Sequence, residues 1–144
     1  MRIASVCLCL GMFTLSSLAR AEGAHCRRIH AEQSQGIISG NFGLNGTSVF
    51  TGDAPGTAPP TAQPGTSVFS GLLAITTDEG TLTMHETGVF SSRTGNPDGA
   101  VLVSWSDSPT GTGVFEGVTG DLFFTGRTRD GVLVIKVSGK LCRP

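Results

Sequence analysis

Few side chains in this sequence have both the type and the surroundings to do chemistry, and Glu86 is the first of them. In the stretch TLTMHETGVF at 81–90, alternate residues of an extended chain share a face, so Glu86 falls in line with Leu82, Met84, Gly88 and Phe90. A carboxyl group turned inward between Met84 and Phe90 loses hydration, which raises its pKa toward the range useful for proton transfer. A bulge at Thr87-Gly88 would instead carry the same glutamate to a rim or to the outside. Asp107 follows Trp105 and Ser106 at a strand end, where capping a turn is its expected role. His25, His30 and His85 are scattered without zinc-ligand spacing, so no metal site is expected. Gly111 and Gly113 precede a strand, lack a lysine and open no helix, which rules out a phosphate loop. No serine sits in a nucleophile elbow, and no cofactor is expected.

The elements that must position these groups begin after a leader. Arg2 is a short basic region, residues 3–18 form an apolar run, and Ala19-Arg20-Ala21 is an A-x-A site, together predicting a signal peptide over 1–21. The run is too short, and too polar at Thr14, Ser16 and Ser17, for a transmembrane helix, so no stable membrane insertion is expected after cleavage. Residues 22–144 are then a single domain of secreted or periplasmic location. Removing Arg2 and Arg20 leaves eight basic side chains against eleven acidic ones, a formal balance of −3. That balance argues against a nucleic-acid or anionic-membrane partner. Cys26 and Cys142 remain, one near each end, and in an exported chain they predict a disulfide. Joining them lays the first and last segments side by side, the condition for closing an antiparallel meander into a barrel.

Between the cysteines the chain alternates strands with legible turns. The unit GTSVFTG from Gly46 recurs as GTSVFSG from Gly65, as ETGVFSS from Glu86 and as GTGVFEG from Gly111. The last copy opens the stretch 111–126, expected to form a strand, a tight corner and a second strand whose Val114, Phe115, Leu122, Phe123 and Phe124 supply apolar surface to bury. Strands are expected at 67–77, 81–91, 100–106, 122–128 and 132–141, with turns at Asn45-Gly46, Asp78-Glu79-Gly80, Asn96-Pro97-Asp98-Gly99 and Asp130-Gly131. The first segment, 25–35, is expected at an outer or rim position. Prolines at 55, 59, 60 and 64 make 51–66 a surface loop. No segment keeps a 3.6-residue period, so the fold class is all-β with little or no helix, built from about eight strands. In the last strand Leu133, Ile135 and Val137 make the cleaner apolar face, while Val101, Val103 and Trp105 oppose Leu102, Ser104 and Ser106 on theirs.

The run GTGVFEGVTG at 111–120 resembles the glycine-rich signature of the allene oxide cyclase barrel-like superfamily, which includes dirigent proteins and bacterial secreted members. The resemblance covers 65–140, most closely at 111–126. It implies a closed antiparallel eight-stranded β-barrel with an internal cavity, places Glu116 in the scaffold motif, and by order alone makes Glu32, in the polar segment HCRRIHAEQSQ at 25–35, the candidate cavity acid. Three functions follow as expectations. The barrel binds a small apolar molecule through residues such as Leu82, Met84, Val103, Trp105 and Ile135, with Trp105 either a cavity floor or a core plug. Alternatively it is a cofactor-free cyclase or isomerase in which Glu86 or Glu32 moves a proton. In the third reading the barrel is filled and is a structural or interaction protein that uses exposed loops such as 51–66; in each reading it works as a monomer or small oligomer.

Overall fold

The computed structural model describes residues 25–53, 65–92 and 98–144. The leader at 1–21, residues 54–64 of the Pro-rich stretch and residues 93–97 before Asp98-Gly99 lie outside the described residues. The rest is a closed barrel of eight antiparallel strands in sequence order. These are β1 (His25–Ser34), β2 (Ile37–Gly40), β3 (Gly46–Gly52), β4 (Thr66–Thr77), β5 (Gly80–Ser91), β6 (Val101–Gly111), β7 (Thr119–Arg129) and β8 (Val132–Arg143).

Turn chemistry sets the register. Gln35 and Gly36, with φ of 50° and 76°, and Asp130 and Gly131, with the same pair of values, both place two left-handed residues between strands. That is the backbone of a two-residue hairpin whose twist matches its strands. Thr77 secures the β4–β5 turn: its Oγ1 accepts from the Glu79 N–H at 3.2 Å and donates to the Gly80 carbonyl at 3.0 Å. The Asn45-Gly46 turn is a correction. The chain reverses three residues earlier, with Phe42 and Gly43 at φ of 64° and 82°. Asn45 Oδ1 ties this corner by accepting from Ser39 Oγ and from the Gly40 N–H, both at 3.1 Å. Gly46 already belongs to β3, where a Cβ would stand 2.0 Å from the Thr76 carbonyl oxygen.

Closure occurs between β1 and β8, paired from His25 opposite Arg143 to Ser34 opposite Val134. Cys26 and Cys142 face each other in this ladder and are bonded. Such a bond fits an oxidising, exported environment. β1 is therefore a full stave with Ile29 buried, and not a rim element.

Alternation along each strand divides inside from outside. Ile29, Leu44, Ile75, Leu82, Leu122 and Leu141 are buried and fill one end. The 111–126 stretch closes that end differently from a simple corner: β6 runs to Gly111, a 3₁₀ turn follows at Gly113–Phe115, and β7 starts at Thr119. Phe115 and Val118 from this segment enter the core. Phe123 lies on the exposed outer face of β7, because parity admits only its neighbours Leu122 and Phe124 to the interior.

Candidate functional site

The opposite end of the barrel is hollow. A cavity of about 250 Å³ opens there, walled by Phe50, Phe69, Phe90 and Phe124 and by Leu73, Leu102 and Ile135. Its polar groups are Gln33 and Glu86. Phe50 and Phe69 meet edge to face with ring centroids 5.3 Å apart, an arrangement that sets a positive ring edge against a negative ring face. The volume is just below the roughly 300 Å³ at which drug-sized pockets begin, which suits a small molecule or one that protrudes from the mouth.

Glu86 sits one inward step above Met84 on β5, only 6% exposed. The ladder with β6 runs without a break from Glu86 opposite Ser106, through Thr87 opposite Trp105, to Gly88 opposite Ser104. The bulge considered at Thr87-Gly88 is therefore absent; the register shift in this pair lies between Thr83 and His85. On the β6 side it is absorbed near Ser108, whose φ is 51°. Ser104 Oγ donates a hydrogen bond to Glu86 Oε1. Ser106 Oγ is buried with no hydrogen-bond partner.

Burial pushes the Glu86 carboxyl above the ordinary value of 4.5, and the Ser104 hydrogen bond offsets part of that rise. The folded state thus holds this proton more tightly than the unfolded chain does. Stability from this group is present below the unfolded pKa and is lost as pH rises through the folded one. Glu86→Gln removes that dependence while keeping the shape. The variant's urea midpoint, compared with the parent's at a series of pH values, should show an advantage that grows from the acid range toward neutrality. Parallel curves would mean that Glu86 is not desolvated.

The other nominated residues divide sharply. Ile135 lines the cavity. Leu82 and Met84 point inward but belong to the packed core beneath it. Val103 and Trp105 are corrected: they stand on the outer wall, 54% and 44% exposed. The inner face of β6 is Leu102, Ser104 and Ser106, the less apolar of its two. Small side chains are needed there because Glu86 and the Phe69 ring occupy the adjoining space; a Cβ on Gly88 would lie 2.4 Å from Ser104 Cβ and 2.7 Å from Phe69 Cζ. Glu32 is also corrected. Ile29, Ala31 and Gln33 take the inner face of β1, which leaves Glu32 exposed outside, opposite Lys136. A barrel filled to both ends is at odds with the cavity.

The aromatic walls were the missed part, although the repeat contained their signal. In the first three Val-Phe units the first, third and fifth positions have one parity, so Phe50, Phe69 and Phe90 line the cavity, Phe50 with much of its ring open to solvent at the mouth, while Val49 and Val89 stand on the outer face. Glu86 occupies the first position of its unit, where the other copies carry Gly46, Gly65 and Gly111. Comparison of the chain with protein-family models, with curated proteins and with solved structures finds no match.

Proposed function

We propose that the barrel binds a small, largely apolar molecule at its open mouth. The observation that carries this reading is an apolar cavity with a single buried carboxyl at its base. Such a pocket supplies burial for affinity and one polar contact for orientation. The glycine-rich signature at 111–120, which forms the closed end, supports placing the chain in the allene oxide cyclase barrel-like superfamily, and the disulfide supports secretion or a periplasmic location. A cyclase or isomerase activity is the second reading, favoured by the raised pKa of Glu86, a group able to hold or give up a proton inside the cavity.

Binding is tested by saturation-transfer NMR with toluene, naphthalene and 1-naphthol, on the parent protein and on Leu102→Trp, which fills the mouth. The parent should show transfer to at least the naphthalene-sized probes, and Leu102→Trp should weaken it at least about tenfold, the effect of losing roughly 1.4 kcal/mol of contact. Equal transfer to both proteins would place binding elsewhere and defeat the proposal.

A further inference from the structure

We infer that the mouth site selects an apolar cation, a small molecule with a protonated amine on a hydrocarbon body. The inference rests on reading the mouth as a binding site and adds the chemical class of its ligand. Three observations converge on it. Ser104 Oγ engages Glu86 through Oε1, which leaves the other carboxyl oxygen outside that hydrogen bond. No lysine, arginine or histidine among the described residues pairs with Glu86, and the contact of His85 Nε2 with Asp53 Oδ2 at 3.6 Å lies outside the barrel. The cavity wall carries four phenylalanine rings, Phe50, Phe69, Phe90 and Phe124.

A buried carboxylate without a counter-charge is costly, and the missing charge is what an ammonium brings. Aromatic faces add attraction for a cation and give a neutral isostere only area. Gln33, on the opposite wall of the mouth, carries an amide oxygen able to accept a second ammonium hydrogen. An anionic ligand finds no positive group in this lining and meets the Glu86 charge. The groups facing Glu86 are Gly71 on β4 and Ser104 and Ser106 on β6, with Gln33 also in the lining. None of these titrates, so pH acts on this site through Glu86 and the ligand.

The test compares 2-phenylethylamine, 2-phenylethanol and 3-phenylpropionate by titration calorimetry and ligand-observed NMR at constant ionic strength. At neutral pH the amine should bind at least about tenfold more tightly than the alcohol, and the acid more weakly than either. The advantage of the amine should shrink as pH falls and Glu86 gains its proton, although the amine itself stays charged. In Glu86→Gln the advantage of the amine over the alcohol should fall at least about tenfold, leaving only what the rings and Gln33 supply. Phe90→Leu, which keeps the carboxylate and most of the apolar volume, should weaken the amine several-fold more than the alcohol. An alcohol that binds as well as the amine overturns the inference and leaves apolar binding standing. An amine preference undiminished in Glu86→Gln also overturns it, because the carboxylate would then not be the group that holds the cation. Failure of all three compounds to bind defeats both the inference and the binding reading beneath it.

Discussion

Replacing Cys26 and Cys142 together by alanine should lower the stability of the barrel by about 4.7 kcal/mol, the loop-closure value for a loop near 100 residues. The two cysteines are separated by 116 residues, so the bond ties nearly the whole described chain into one ring. Without it, the unfolded chain recovers the freedom of two ends that need not meet. The native barrel should nevertheless keep its closure, because β1 and β8 remain paired along their full length from His25 to Ser34. The expected result is therefore a large drop in urea midpoint with an unchanged cavity: the double variant, where folded, still takes up a mouth ligand. Reduction of the parent protein should reproduce the loss. An unchanged midpoint would mean that the unfolded chain already holds its ends together. A double variant that folds but no longer binds would mean that the bond shapes the native barrel as well.

That separation between closure and cavity bears on how much could be seen in the sequence. Closure was legible because three independent features agree on it. The two cysteines left after the expected leader, Cys26 and Cys142, bracket the domain, Asp130-Gly131 specifies a hairpin turn, and β8 alternates with Leu133, Ile135 and Val137 on one face. The inward placement of Glu86 was legible as one of two choices, and the unbroken ladder from Glu86 to Gly88 selects between them. The inner face of β6 was not legible. Val101, Val103 and Trp105 make the more apolar face of that strand, yet they form part of an exposed stripe in which Val89 pairs with Val103 and Trp105 with Phe123. The decision is made across the barrel, where the Phe69 ring and the Glu86 carboxyl leave room for serines only. Side-chain volume on neighbouring strands does not register in the pattern of one strand. For the same reason Glu32 could be proposed from chain order, while the identity of its inward neighbour Gln33 depended on a pairing register known only from coordinates.

The four Val-Phe units show how local backbone divides one motif between two jobs, and the second large effect follows from that division. Three units lie in strands and send Phe50, Phe69 and Phe90 to the mouth. In the fourth, Gly113 has φ of 60° and the chain winds into the 3₁₀ turn, which drives Phe115 into the floor, fully buried. Phe115→Ala should therefore cost about 3–5 kcal/mol, the transfer loss of a ring plus the cavity left behind. A mouth residue such as Phe50, which is partly exposed, should cost much less. Gly111→Ala offers a check that leaves the ring intact: a Cβ there would stand 2.4 Å from the Phe115 carbonyl oxygen and 2.6 Å from its Cβ, so the plug must shift. Both variants should unfold at lower urea while the folded fraction binds a mouth ligand with nearly parental affinity, since Phe115 is not among the residues that line the cavity. A loss below about 1 kcal/mol for Phe115→Ala would show that the turn at 113–115 can collapse onto the core, and that the floor is held by the strands alone.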